Sequence, residues 1–316
     1  MARILITQRL VDGGDALLRA SGHEVLTRDA DGPMPHDELV AAAAEVDAIV
    51  CMLSDQIDAE VLTSGGRLKV VSNVAVGFDN LDRTAAEAAG VAVTNTPGVL
   101  DAATADISIL LMLSARRQAS AAEADLRAGR WTGWAIGDHL GLDLTGATIG
   151  LVGLGRIGQA VSRRLGGFDT TVLHHTRHDT GRKGWTPSLL DLAGRSDVLS
   201  IHVPFTTDTH HLINAEVLAA LPDGAVVINT ARGSILDEEA LADALEAGRL
   251  HGAGLDVFEG EPAINPRLLA SPRCVLLPHI GSATISVRRA MCEMASQGVL
   301  EVLAGTTPGN LVPADA

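Results

Sequence analysis

Short apolar runs and alanine-rich, helix-periodic stretches alternate along almost the whole chain. In the first hundred residues the runs Arg3–Thr7, Glu24–Thr27, Ala48–Leu53, Leu68–Val76 and Val91–Thr96 are rich in Val and Ile and too short for ordinary helices. Between them stand helical patterns such as Asp37–Ala44 and Thr84–Ala89, the latter closed by Gly90. Runs that are apolar at nearly every position suit strands buried on both faces, and strands alternating with helices make parallel sheets. Pro97-Gly98 breaks the pattern. From about Asp101 towards Arg127 one long helix is predicted, with Thr104, Ile107, Leu111 and Ser114 on one face.

The alternation resumes at Gly146. Strands are predicted at Ile149–Gly153, Thr171–His175, Val198–Val203, Ala225–Asn229, Gly254–Val257 and Val275–Leu277, and helices at Gly158–Leu165, Leu189–Ala193, Glu216–Ala220 and Glu238–Ala247. A last helix, Val287–Leu303, has no strand after it and is assigned to the first unit.

The stretch Thr148-Ile149-Gly150-Leu151-Val152-Gly153-Leu154-Gly155-Arg156-Ile157-Gly158 organises the second unit. Gly153, Gly155 and Gly158 fit G-x-G-x-x-G, in which one glycine makes a tight turn, one lets backbone approach a pyrophosphate, and one lets helix pack on strand. In a chain with 33 glycines the triplet alone is a weak signal; the strand before it and the helix after it make it a dinucleotide site. The predicted fold class is therefore α/β with two doubly wound parallel-sheet domains. Residues 1–98 plus 284–316 form a flavodoxin-like substrate domain, residues 99–283 a Rossmann dinucleotide-binding domain, and a cleft lies between them.

Composition narrows the function. With 316 residues, 47% hydrophobic and 20% charged, the chain is globular and large enough for two domains. It has no Tyr, three Trp and four Phe, so the cores must be built from Leu, Val, Ile and Ala, with at least one of Trp131 and Trp134 expected inside. A net charge of −15 argues against nucleic acid as a partner. Met1–Thr7 reads as a strand rather than a secretory leader, and no apolar run is long enough to span a bilayer. Cys51, Cys274 and Cys292 are odd in number and widely spaced, as reduced cytoplasmic thiols are. No cysteine pair has metal-ligand spacing, and His174 and His175 face opposite sides of a strand, so no metal is expected.

Three polar residues fall at carboxyl ends of successive strands of the second unit: Arg232, Glu261 and His279. Singly, each has a plainer reading, as a surface Arg, a solvated loop Glu or a satisfied core His. Their common edge beside a dinucleotide loop points to an active site.

These residues also carry a resemblance. Gly150–Gly158, Asn229-Thr230-Ala231-Arg232-Gly233, Leu255-Asp256-Val257-Phe258-Glu259-Gly260-Glu261-Pro262 and Leu277-Pro278-His279-Ile280-Gly281-Ser282 resemble, in order, the motifs of the D-isomer-specific 2-hydroxyacid dehydrogenases, and the likeness covers essentially the whole chain. Within that family the chain is most similar to glyoxylate/hydroxypyruvate reductases, on Ala103-Thr104-Ala105-Asp106, Gly129-Arg130-Trp131-Thr132-Gly133-Trp134 and His279-Ile280-Gly281-Ser282-Ala283-Thr284.

The resemblance implies hydride transfer from a nicotinamide cofactor to a small 2-oxo acid, with glyoxylate or hydroxypyruvate favoured. Arg232 would grip the substrate carboxylate and polarise the 2-oxo group, a bidentate task for guanidinium. His279 would be the acid–base, and Glu261 its carboxylate partner. Substrate would also meet Leu53, Ser54, Val76 and Gly77 of the first domain. The cofactor would meet Thr104, Gly153, Gly155, Arg156, Ile157, Gly158, Thr176, Arg177, His202, Val203, Pro204, Thr209, Thr230, Ala231, Asp256 and Gly281, with Asp256 near the nicotinamide carboxamide unless it merely caps a turn. A homodimer is implied, with the Trp131–Trp134 segment at the contact and Trp134 reaching a neighbour's pocket. Readings that stay open are a same-family enzyme for a 2-ketogluconate-type acid, D-lactate or phosphoglycerate, and a nicotinamide-sensing regulator that turns nothing over.

Two departures from the family pattern matter. Asp106 stands where many relatives have Glu, which keeps the charge. The strand ending His174-His175-Thr176-Arg177-His178 has no acid to hold an NAD ribose, whereas Thr176, Arg177 and Arg182 suit a 2′-phosphate. NADP is therefore expected in preference to NAD, with NAD usable; the alternative is that Arg177 is merely solvated and Asp179 reaches the ribose.

Overall fold

Every apolar run becomes a strand, but most strands end one to three residues before the run does. The last residues of a run leave the sheet and become the loops where ligand binds in such folds. The structure, a computed structural model, describes residues 1–11, 13–30 and 32–313. It divides into two units, Met1–Leu100 with Ser282–Ala316, and Asp101–Gly281.

The first unit holds β1 (Arg3–Ile6), β2 (Glu24–Thr27), β3 (Ala48–Cys51), β4 (Val70–Asn73) and β5 (Ala92–Thr94), all parallel in the order β2-β1-β3-β4-β5. One face is closed by helices including His36–Ala43 and Ala59–Thr63, through Leu39, Val61 and Leu62. The other is closed by the final helix Ile285–Leu303, whose Ala295 and Val299 pack on Ile4, Val50 and Val70. Ser72 Oγ donates to Ala295 O at 3.0 Å, so a polar strand residue is satisfied where the helix crosses the sheet.

The second unit holds β6 (Thr148–Val152), β7 (Thr171–His175), β8 (Val198–Ile201), β9 (Val226–Asn229), β10 (Gly252–Leu255) and β11 (Cys274–Leu276), in the order β11-β10-β9-β8-β6-β7. A single parallel bridge between His174 and Trp185 extends the edge beyond β7. Counting that remnant, the sheet follows the 3-2-1-4-5-6 winding of dinucleotide-binding domains with β11 added as a seventh strand, and the strand order reverses between β6 and β8. Alternation along β6 serves two cores. Ile149 and Leu151 face the helices Asp101–Arg117 and Arg156–Leu165, while Val152 faces the opposite layer with Leu192, Leu199 and Leu241. The largest fully buried side chains are Ile, Leu and Met, as the scarcity of aromatics requires.

Two expectations are corrected here. The long helix from Asp101 is two helices, Asp101–Arg117 and Ala119–Arg127, broken at Gln118 with φ 50° and ψ 39°. No glycine or proline marks that break. The buried face of the first helix is also broader than the predicted stripe. It takes in Ala103, Ala105, Ser108, Ile109, Met112 and Ala115, because this helix packs on β9, β10 and the helix Arg156–Leu165 together. Secondly, neither Trp131 nor Trp134 is in a core; they are 53% and 80% exposed, and Ile136 and Leu140 beside them are exposed too. All three cysteines are buried and unpaired. Among the described residues no helix is long and apolar enough to cross a membrane.

Candidate active site

At the point where the strand order reverses, the three glycines do different work. Gly153 takes φ +97°, and a Cβ there would meet His202 O at 2.8 Å and Val203 Cγ1 at 2.9 Å. A Cβ at Gly158 would meet Gly153 O at 2.5 Å, so this glycine sets the closeness of helix to loop. At Gly155 a Cβ would meet no neighbouring atom within 4 Å. The protein needs no glycine at 155 for its own packing, whereas a ligand approaching the backbone would. Gly155 caps the helix Arg156–Leu165 with no side-chain hydrogen bond, and no acidic residue stands in its first turn. The free N–H groups and the dipole are thus left for an anion, and a dinucleotide pyrophosphate fits. Ile157 is half-buried, and Arg156 Nε lies 3.8 Å from Asp101 Oδ2.

Around this loop lie the other predicted cofactor residues of the unit. His202 follows β8, donates its N–H to Val152 O, and pairs through Nε2 with Ser200 Oγ at 2.9 Å. Burial lowers its pKa to about 4, so the ring is neutral at physiological pH. Thr209 Oγ1 donates to Pro204 O at 2.9 Å and receives Thr206 N–H at 2.7 Å, which folds the segment after Val203 into a capped turn. Gly153 N–H donates to His175 O at 2.9 Å, tying the glycine loop to the end of β7. There Thr176 Oγ1 donates to His178 O at 2.7 Å, and Asp179 Oδ1 accepts Gly181 N–H at 2.8 Å. Arg177 and Arg182 are exposed.

The catalytic candidates are held by backbone approach. A Cβ on Gly233 would lie 1.8 Å from the Phe258 carbonyl carbon, so only glycine lets the turn after β9 nest against the loop after β10. Asn229 braces that turn, its Oδ1 accepting Ala231 N–H at 3.0 Å and its Nδ2 donating to Arg232 O at 2.8 Å. Arg232, half-buried, donates through Nη1 to Ala231 O at 2.8 Å. Thr230 Oγ1 meets Ser108 Oγ at 2.9 Å, and Ser108 Oγ also contacts Thr104 O at 3.0 Å.

Glu261 accepts Phe258 N–H through Oε1 at 2.9 Å and meets His279 Nδ1 through Oε2 at 2.8 Å. Burial pushes the Glu261 carboxyl up, but the His279 bond and charge, the Phe258 N–H and the Arg232 charge outweigh it and hold it below the ordinary glutamate value. An ionised carboxylate can only accept, so Nδ1 carries the proton in this pair. Nε2 of His279 makes no hydrogen bond among the described residues. His279 has φ 53°, a left-handed conformation that is costly for a non-glycine residue and typical of functional sites. Asp256 maintains that turn. Buried, it accepts Ile280 N–H and Gly281 N–H at 2.7 Å each, while Gly281 O accepts from Thr104 Oγ1 at 3.3 Å. Burial raises the Asp256 pKa above the usual aspartate value, and the two N–H groups and the His279 charge only partly offset that. Ser108 and Gly233 have no role legible in the sequence, because each acts through a contact distant along the chain, with Thr230 and with Phe258; Asn229 acts within its own turn.

In the other unit, Asn95 Nδ2 donates to Val76 O at 2.7 Å and Asn73 Nδ2 to Gly77 O at 2.9 Å. The carbonyls of this turn are therefore occupied, while the Val76 and Gly77 N–H groups carry no hydrogen bond among the described residues. Leu53 is half-buried and Ser54 exposed, on a turn pinned by buried Asp55, which accepts Met52 N–H at 2.8 Å.

Residues 109–281 match the family model described as D-isomer specific 2-hydroxyacid dehydrogenase, NAD binding domain. The chain is 38% identical over 322 residues to the glyoxylate reductase of Thermococcus litoralis, covering 99% of this chain and 97% of that protein. It is similar to the crystal structure of the TT0316 protein from Thermus thermophilus, with a TM-score of 0.94, 42% identity, and coverage of 98% of this chain and 100% of that one. It is also similar to the NADPH-dependent glyoxylate/hydroxypyruvate reductase of Sinorhizobium meliloti, solved with NADP and malonate, with a TM-score of 0.86, 35% identity, and coverage of 99% and 97%.

Proposed function

The chain belongs to the D-isomer-specific 2-hydroxyacid dehydrogenases and is an NAD(P)-dependent enzyme, and on that premise we propose that it reduces glyoxylate or hydroxypyruvate to the D-2-hydroxy acid. The observation that carries this reading is the Glu261–His279 pair, which leaves Nε2 of His279 to a reactant while Arg232 charge reaches the same carboxylate. When bound, the reduced nicotinamide supplies hydride to the carbonyl carbon. Gly153, Gly155 and Gly158 with the helix start at Arg156 would hold the pyrophosphate. Arg232 binds the substrate carboxylate in a bidentate fork and draws charge from the 2-oxo group. His279 gives the Nε2 proton to the carbonyl oxygen and recovers it in the reverse direction, with Glu261 holding the ring orientation. Val76 and Gly77 would offer their N–H groups to the substrate carboxylate.

We read NADP as the preferred cofactor, with NAD usable. The end of β7 offers no acid, the Asp179 carboxylate accepts a bond within its own turn, and Arg177 and Arg182 are exposed. Thr176 directs its proton to His178 O, which leaves Arg177 as the principal donor for a 2′-phosphate. One charge-assisted hydrogen bond is worth about 1.5–3 kcal/mol, so Thr176→Asp combined with Arg177→Ala should shift the kcat/KM ratio towards NADH by roughly tenfold or more. A wild-type kcat/KM about tenfold higher with NADH would overturn this reading. The exposed apolar residues Trp131, Trp134, Ile136 and Leu140 support a homodimer. The buried, unpaired cysteines support a cytoplasmic location.

The test of the reaction is cofactor oxidation with glyoxylate, hydroxypyruvate, 2-ketogluconate, pyruvate and phosphohydroxypyruvate. The first two should give the highest kcat/KM. If no 2-oxo acid is reduced, the assignment fails.

A further inference from the structure

The loop that carries Glu261 holds a second carboxylate, Glu259, and this one faces two histidines. Glu259 Oε1 lies 2.9 Å from His211 Nε2 and 3.5 Å from His210 Nε2. One donor atom from each residue falls within 4.8 Å of the others. Consecutive strand residues face opposite ways, which sets His174 and His175 aside, but His211 takes φ 48° and stacks its ring on His210, with centroids 4.0 Å apart and planes at 19°. Such a backbone is strained and persists only where its surroundings impose it. Here His211 N–H donates to Ser234 O, and the Phe205 ring meets His210 edge-on at 6.2 Å. Glu259 is fixed in turn, its N–H donating to the buried Glu238 Oε1 at 2.9 Å.

We propose that His210, His211 and Glu259 form a binding site for a divalent transition-metal ion, with zinc as the best fit. Two imidazoles and one carboxylate, with an open fourth position, are a donor set zinc accepts, whereas calcium and magnesium require oxygen. Tetrahedral bonds of about 2.0–2.1 Å place ligand atoms roughly 3.3 Å apart. The two Glu–His separations, 2.9 and 3.5 Å, bracket that spacing already, so only the stacked rings have to splay. All three side chains are partly exposed, which permits the rotation and lets the ion enter from solvent. The charges of Glu259, Glu239 and Glu261 all reach Glu238, so the neighbourhood of the site is rich in carboxylates, which favours a cation. A bound ion would clamp the segment after β8 to the loop after β10.

The test uses the full chain and zinc alone, in a buffer that does not chelate metals. Isothermal titration should show one saturable zinc per chain, with a rise in melting temperature. Both should disappear in His210→Ala and in Glu259→Gln, variants whose far-UV circular dichroism should match wild type. X-ray absorption on zinc-loaded wild type should report two imidazole nitrogens per ion, a readout that needs no variant. Absence of saturable binding, retention of the zinc by both variants, or fewer than two imidazoles would overturn the proposal.

Discussion

His279 and His211 both sit on left-handed backbone, at φ 53° and 48°, and each meets a carboxylate from the loop after β10. They differ in the nitrogen they use. His279 bonds Glu261 through Nδ1, so the far side of the ring is left to a reactant. His211 bonds Glu259 through Nε2, beside a second imidazole that approaches the same oxygen. The carboxylates differ too. Glu261 has its other oxygen on Phe258 N–H and feels Arg232, whereas Glu259 is fixed through its backbone N–H on Glu238. The same residue types are therefore set up for the two proposed roles, a proton donor in one place and a chelating pair in the other. The role follows from which ring nitrogen remains.

The comparison breaks most readily at the two histidines. His279→Ala should lose ~10²–10⁴-fold in kcat with cofactor affinity retained, because a general acid is removed. His211→Ala should lose far less; an equal loss in both would erase the distinction. Next comes the carboxylate. Glu261→Gln forfeits a charged hydrogen bond worth about 1.5–3 kcal/mol, hence roughly 10- to 150-fold in kcat/KM, while Glu259→Gln should stay well short of that. Arg232→Lys keeps the charge and loses the fork, so KM should rise and kcat fall together. A change in KM alone would make Arg232 a binding residue only.

The smallest effect is on stability. Glu261 has a depressed folded pKa, so its contribution is present above the ordinary value of 4.5 and is lost as pH falls through the lower folded value. The side chain is 36% exposed, and solvent screens much of the effect. The stability gap between wild type and Glu261→Gln should narrow on acidification, as read by denaturant titration. A gap constant with pH would mean the pair contributes no charge-dependent stability.

Much of this architecture was legible because strands of a parallel sheet are apolar at nearly every position. The runs mark β1 to β11 correctly and overshoot most of their carboxyl ends, where side chains such as Val203 stay apolar after pairing has stopped. The candidate trio was legible from strand-end position and motif. What was hidden depends on partners far along the chain. Gln118 breaks a helix without a breaker residue, and Trp131 and Trp134 look like core residues yet are exposed. Gly233 is required by Phe258, and His210 with His211 becomes a pair only through the φ of His211 and the arrival of Glu259.

The empty space beside Gly155 has an evolutionary meaning. Folding itself polices Gly153 and Gly158, since a methyl group at either collides with backbone. Nothing in the fold polices Gly155. A mutant library sorted for expression or heat resistance would purge changes at the first two positions and let them accumulate silently at the third. With Gly155 in its proposed pyrophosphate role, residue 155 is thus a door through which this scaffold could shed its dinucleotide and keep its shape, free for recruitment to tasks without redox chemistry.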